Sequence, residues 1–191
     1  WVNTNLHEAT DCVYYDEVAA GREATRRLLE RGHRRILFLR PPSDIHYSSR
    51  DRYQGYREEM EAWGLSPPAD SRQPIPDDEF PAWLAAVMRR ARRPTAVIRP
   101  AGGDPRVVTL LWHLGLRIPR DVSIVCWLNH RQLAGRFVPE HTAMVLDIYQ
   151  AGRTATEMVL HRIDHAGKSI PSKTLTWEWH EGGTVGPPPA P

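Results

Sequence analysis

Apolar positions along this chain keep two rhythms. Over residues 18–31, Ala20, Ala24, Leu28 and Leu29 fall on one face of a helical repeat. Gly32 closes that pattern, His33, Arg34 and Arg35 form a polar joint, and a continuous apolar run extends from Ile36 to Leu39. The same punctuation returns at Gly115, whose joint leads through Arg117 and Asp121 into Val122-Ser123-Ile124-Val125-Cys126-Trp127. A helix, a short polar joint and a buried strand, repeated, are the grammar of an open parallel α/β sheet. Such sheets bind ligands beyond the carboxyl ends of their strands. Function is therefore expected just after Leu39 and just after Trp127.

The remaining pattern fills in the same scheme. Cys12 to Tyr15 reads as a short strand, and Asp16 as the cap of the first helix. A helix is predicted over 51–63, ended by Gly64, and a Pro-rich loop over 66–76. A second amphipathic helix is predicted over 78–92, its start delayed or kinked by Pro81. Pro94 introduces the strand 95–98, and Ala101-Gly102-Gly103 turns the chain. Asp104-Pro105 is a good helix start for a segment reaching Leu114. Residues 129–139 are irregular, 142–148 reads as a strand and 150–166 as a long helix closed by Gly167. Residues 173–179 alternate polar and apolar, as an edge strand does, and a Pro-rich tail begins at Gly182.

Composition narrows the class. With 41% hydrophobic and 25% charged residues the chain is globular. The formal net charge of +2 argues against nucleic acid as a direct partner. Arg26-Arg27 and the arginines of 89–93 read as cations complementing helix C-termini. Cys12 and Cys126 sit in apolar runs and read as buried free thiols, with no Cys-x-x-Cys for a zinc ribbon. No apolar stretch has membrane-spanning length, and no signal peptide is recognisable, which points to the cytoplasm. The first residue is Trp1, and Trp1-Val2-Asn3 reads as the tail of a strand. A truncated or processed chain is expected.

Five segments in order resemble the LacI/GalR-type sensor domain. They are Asp16 with Gly21, Leu28-Leu29-Glu30-Arg31-Gly32-His33-Arg34-Arg35-Ile36, Arg52-Tyr53-Gln54-Gly55-Tyr56, Arg93-Pro94-Thr95-Ala96-Val97, and the joint-and-strand from Gly115 to Val125. The resemblance runs from the first residues to about Val185. It implies an α/β fold of the periplasmic-binding-protein-like type I, a parallel sheet sandwiched by helices. It also implies a complete C-terminal lobe at 16–139 and a remnant of the N-terminal lobe at 1–15. A return segment to that lobe follows at 140–168, then a final strand and tail at 169–191. The run 121–127, followed by Asn129 and Phe137-Val138-Pro139, is similar to members whose sensor follows a GntR-type winged-helix head.

The family places an effector between two lobes, at strand ends. Arg52 matches its cleft arginine, whose planar fork donates to sugar hydroxyls, a carboxylate or a phosphate. Ser48 and Ser49, read as the loop before the helix, either donate to the same ligand or cap the helix. Trp127 either stacks on a sugar face or fills the core, and the Asn129 amide is placed to bond a ligand hydroxyl. The sequence also departs from the family. Pro100-Ala101-Gly102-Gly103 stands where an Asn-Asp pair is usual, and Cys126-Trp127-Leu128-Asn129 where an acidic pair is usual. Those losses weaken a standard sugar effector. Arg99, joined to Arg52, would make the cleft positive and suit an acidic metabolite.

Other constellations stay bland. His161 and His165 have metal-compatible spacing but no further ligand pattern. Asp77-Asp78-Glu79 precedes a helix, where acids offset the dipole. No nucleophile, base and orienter set appears, and no phosphate-binding fingerprint, so neither an enzyme nor a cofactor is expected. The expectation is the effector-sensing and dimerisation portion of a bacterial transcriptional regulator. Its partners would be a small molecule and a second copy, with DNA reached only through a head absent from this chain. The alternatives are an exported solute-binding protein and a degenerate sensor that only dimerises.

Overall fold

The computed structural model describes residues 1–2, 8–40, 46–100, 105–136 and 138–190. Strand β1 (Val13–Tyr15) leads into α1 (Glu17–Glu30), then β2 (Ile36–Phe38), α2 (Tyr47–Ala62), α3 (Phe80–Met88), β3 (Ala96–Arg99), α4 (Arg106–His113) and β4 (Ser123–Leu128). Strand β5 (Ala143–Val145), α5 (Ile148–Asp164), β6 (Lys173–Leu175) and β7 (Glu178–His180) follow. Five strands form one sheet in the order β2-β3-β4-β5-β7, parallel except for the antiparallel β5–β7 pair. Strands β1 and β6 form a separate parallel pair.

The larger sheet is the middle of three layers. One core joins Ala20, Ala24, Leu28 and Leu29 of α1 and Tyr56 and Met60 of α2 to Phe38, Ile98, Val125 and Trp127. The opposite face packs Leu84 and Val87 of α3 and Val107 and Leu111 of α4 against Leu37, Val97 and Ile124. Both helix-to-strand joints turn on glycines with positive φ, Gly32 at 97° and Gly115 at 74°. That conformation carries no Cβ penalty in glycine and stops the helix.

Several boundaries differ from the sequence expectations. Helix α2 begins at Tyr47, so Ser48 and Ser49 lie in its first turn rather than in a loop; the cap is His46, whose side chain accepts from Ser48 N. The Asp104 helix start lies outside the described residues, as do Pro41 to Asp44, Ala101 to Gly103 and Phe137. Beyond residue 139, β5 pairs with β4 and belongs to the larger sheet. The edge strand expected over 173–179 is two strands in two sheets, since Thr176 and Trp177 carry the chain from β1's partner β6 to β5's partner β7. The alternating pattern survives that change because each half still has one face on a core.

The tail is not loose. Strand β5 begins opposite Cys126, leaving the first residues of β4 without a neighbour on that side. Buried Thr184 fills the gap, its carbonyl accepting from Ile124 N at 2.8 Å and its hydroxyl donating to Ile124 O at 2.8 Å. Buried backbone groups need partners, and the tail supplies them. It is pinned again where buried His33 Nε2 meets the Gly186 carbonyl at 2.9 Å. A carbonyl only accepts, so Nε2 carries the proton and Nδ1 accepts from the Thr95 hydroxyl at 2.9 Å.

Burial holds the His33 imidazole below its ordinary value, and His141 is lowered by the same cause. The unfolded chain protonates near pH ~6.5. The stability from a neutral His33 is therefore present above that pH and lost as pH falls through the lower folded value. Urea unfolding at a series of pH values should show stability falling below about pH 6. His33→Gln should flatten the slope, leaving the part due to His141.

Helices α1 and α2 touch backbone to backbone. A Cβ on Gly21 would lie 2.1 Å from Arg52 O, and one on Gly55 would lie 2.0 Å from Val18 O. Gly21→Ala must push the helices apart and should cost roughly 1–3 kcal/mol in denaturant unfolding.

Candidate functional site

The chain passes between the two sheets three times. The passages are at Asp16 between β1 and α1, at Leu146 and Asp147 between β5 and α5, and at Thr176 and Trp177 between β6 and β7. The first and third are tied by Asp16 N donating to Leu175 O at 2.9 Å. Asp16 caps α1 by accepting from Ala19 N at 2.8 Å, and Asp147 caps α5 by accepting from Tyr149 N and Gln150 N. The waist so formed lies at the carboxyl ends of β3 and β4.

Arg52 occupies that waist. Its Nε and Nη2 donate to the two carboxylate oxygens of Glu17 at 2.7 and 2.9 Å, and its Nη1 donates to Pro100 O. The guanidinium lies over the rings of Trp127 and Trp177, at 5.4 and 4.9 Å from their centroids. The Arg52 side chain is 11% exposed and that of Glu17 1%. Burial pushes the Glu17 carboxyl above its ordinary range, and the Arg52 fork opposes that push. The two indoles meet edge to face, 6.4 Å apart, and Trp177 packs on Tyr15 at 5.6 Å. Burial raises the Tyr47 phenol to about 12, and its hydroxyl bonds the Tyr15 backbone.

The structure brings some expected residues together and separates others. Arg52 and Trp127 are in contact, and buried Ser49 stands one helical turn before Arg52. Ser48 turns to His46, its hydroxyl 2.7 Å from Nδ1. Asn129 is exposed, past the end of β4. Arg99 pairs in register with Cys126, whereas Trp127 shares a core with Ile98. Successive strand residues alternate faces, so Arg99 faces away from Arg52. Its charge acts instead on Cys126 and His141. The structure thus places Arg52 and Arg99, expected together, on opposite faces of the sheet. Cys126 is buried, its thiol pushed up to about 12 by burial, Cys12 is likewise buried, and the two form no disulfide.

Two site residues escaped sequence reasoning. Glu17 stands in the first turn of α1, and Trp177 within the alternating run 173–179. A signal for Glu17 existed: it stands four residues before Gly21, on the helix whose partner carries Arg52. Three buried polar atoms around the waist have no hydrogen-bond partner among the described residues: Ser49 Oγ, Trp127 Nε1 and Trp177 Nε1. A cavity of about 560 Å³ flanks the second and third crossings. Of its polar groups, His180 meets Glu140 at 2.8 Å and Arg153 meets Asp147 at 4.0 Å. Among the described residues no cluster of His, Cys, Asp or Glu has the make-up of a metal site, and no helix is long and apolar enough to cross a membrane. His161 and His165 stack at 4.3 Å on exposed helix surface.

Comparison with known proteins fits this architecture. Residues 25–185 match the model of the periplasmic binding protein-like domain. The HTH-type transcriptional repressor PurR of Salmonella heidelberg (strain SL476) is 32% identical over 160 residues, which are 81% of this chain and 46% of the repressor. The chain thus spans about half the length of the relatives it matches. A LacI family transcriptional regulator from Mycobacterium smegmatis superposes with a TM-score of 0.80 at 25% identity, over 97% of this chain and 69% of that one. The transcriptional regulator CelR in complex with cellobiose gives 0.77 at 26% identity, over 94% and 55%. A LacI family regulator from Enterococcus faecium with bound ribose gives 0.79 at 21% identity, over 97% and 69%, a likeness of fold. The chain belongs to the periplasmic binding protein-like domain family, as a LacI/GalR-type sensor domain.

Proposed function

We propose that this chain is the effector-sensing portion of a bacterial transcriptional regulator, and that its effector is a neutral, hydroxyl-rich small molecule bound at the waist. The observation that carries this reading is the set of three orphaned donors beside Arg52. Ser49 and the two indole N–H groups seek acceptors, which sugar hydroxyls supply. Neutrality follows from charge. Glu17 already offsets Arg52, and Arg99 faces the other side, so an anion would enter beside a buried carboxylate whose guanidinium partner is already engaged. Asn129 and Ser48 rim the site, and Arg52 orders it. The similar regulator CelR forms a complex with cellobiose, a neutral ligand of this kind.

On this reading the lobes are residues 17–146 with 178–190, and the β1–β6 pair with α5. Ligand shifts their angle, a second copy of the chain shares that change, and a DNA-binding head on the same protein reads it out. The coupling is a population shift between lobe arrangements.

Isothermal titration and thermal shift with ribose, cellobiose, gluconate and phosphate test the ligand class. Neutral sugars are expected to bind and raise the melting temperature, at 100 times Kd by an amount equivalent to about 2.7 kcal/mol. Binding of the acids alone would overturn the neutral assignment. Silence from every ligand would favour a sensor that only dimerises.

The ion pair has its own test. Glu17→Gln leaves a buried guanidinium without its counter-charge and should cost about 3–5 kcal/mol in urea unfolding. The double variant Glu17→Leu with Arg52→Met should recover most of that loss. A cost below about 1 kcal/mol for the single change would put the pair in the class of weak surface bridges.

A further inference from the structure

The opposite end of the larger sheet carries a feature that effector sensing does not use. Ile36, Ala96 and Ser123 stand in register across β2, β3 and β4. The joints feeding these strands therefore emerge side by side, about 5 Å apart from one strand to the next. Each joint carries arginines: Arg34 and Arg35 before β2, Arg92 and Arg93 before β3 with Arg89 capping α3, and Arg117 and Arg120 before β4. Both lysines of the chain, Lys168 and Lys173, lie elsewhere.

The carboxylates of this region are already engaged. Asp70 holds Arg90 at 2.5 Å, Asp121 holds Arg117 at 3.3 Å and Glu181 holds Arg31 at 2.7 Å. Arg34, Arg35, Arg89, Arg92 and Arg93 make no ion pair among the described residues. Complementing helix dipoles accounts for only part of this charge. Arg31 and Arg34 do donate to carbonyls in the last turn of α1, at 3.0 and 2.8 Å. Arg35 instead reaches across to Arg93 O at 2.9 Å, tying the first two joints together. Two guanidinium groups are thus fixed by backbone carbonyls with N–H groups to spare, which lowers the entropy cost of meeting an anion.

Two tryptophans flank the arginines. Trp63 caps α2 and is 40% exposed, with the Arg34 guanidinium over its ring at 5.2 Å. Trp112 lies in the last turn of α4 and is 75% exposed. Arginine and tryptophan without lysine are the make-up of protein interface hot spots. A duplex-binding face would more usually mix lysine with arginine and present polar groups to phosphates. A second copy pairing through the same face would oppose like charges.

We propose that this end of the sheet docks an acidic segment of another protein, its carboxylates on the Arg34, Arg35, Arg89, Arg92 and Arg93 group and its apolar side chains on Trp63 and Trp112.

Fluorescence anisotropy tests it with a labelled deca-glutamate peptide, the same peptide with one interior tryptophan, and a labelled short duplex DNA, each at low and high salt. The peptides should bind at low salt, the tryptophan version more tightly, and both should release as salt rises. Arg89→Gln with Arg92→Gln, whose side chains hold no backbone carbonyl, should weaken both peptides about tenfold with an unchanged melting temperature. Trp63→Ala should erase the advantage of the tryptophan peptide. A control pair on other surfaces, Arg22→Gln with Arg153→Gln, should change nothing. Tighter binding of the duplex, equal loss in the control pair, or no peptide binding at low salt would each overturn the proposal.

Discussion

The waist between the sheets is governed by one buried ion pair. Replacing such a pair by apolar groups is often neutral, yet removing one member is costly, because a lone buried charge remains. The pair between Glu17 and Arg52 therefore dictates geometry more than it adds net stability. Glu17 fixes the start of α1, Arg52 the middle of α2, Pro100 the end of β3, and the two indoles the end of β4 and the third crossing. The close approach of α1 and α2 is part of the same constraint. Gly21 lies against the carbonyl of Arg52 itself, so the distance over which Arg52 reaches Glu17 is set by a glycine four residues further along α1.

The two ends of the sheet have opposite characters. At the carboxyl ends, the charge of Arg52 is cancelled, buried and covered by aromatic rings. At the amino ends it is multiplied, exposed and short of carboxylates. The near-neutral total of +2 hides this contrast. Whole-chain charge carries no information about local fields, which fall off within about a Debye length of roughly 8–10 Å. The helix-dipole reading, made from the sequence for Arg26, Arg27 and the arginines of 89–93, describes Arg31 and Arg34, which meet carbonyls of α1. It stops short of Arg92, which follows the end of α3 by four residues.

Where local pattern and tertiary demand agree, the fold was legible. The joints at Gly32 and Gly115 announce themselves, because helix stop, positive φ and apolar strand all fall within a few residues. The helix start at α2 was missed because its cap is a histidine rather than Ser, Asp or Asn. The division of 173–179 into two sheets was invisible, since both halves keep the period of a strand. The tail at Thr184 follows only from a gap in the ladder beside β4, which depends on where β5 begins. Arg52 was found through its motif, but its partner Glu17 was not, because an acid at the first turn of a helix already has an ordinary explanation. Tertiary pairing of two individually ordinary residues leaves no mark in a single sequence.

The orphaned donors bear on how a ligand acts under the proposed reading. A buried polar group without a partner costs about 1–3 kcal/mol, and Ser49, Trp127 and Trp177 each present one at the waist. An arrangement in which these groups meet ligand acceptors would be favoured over this one by several kcal/mol. Moving a two-state equilibrium from 1:99 to 99:1 takes about 5.5 kcal/mol of differential binding. The three donors together are of that order, whereas the ion pair is already satisfied and has little to give. The differential contact that any ligand-driven change requires would therefore come from the indoles and the serine. Arg52 would hold the waist in place while they change partners.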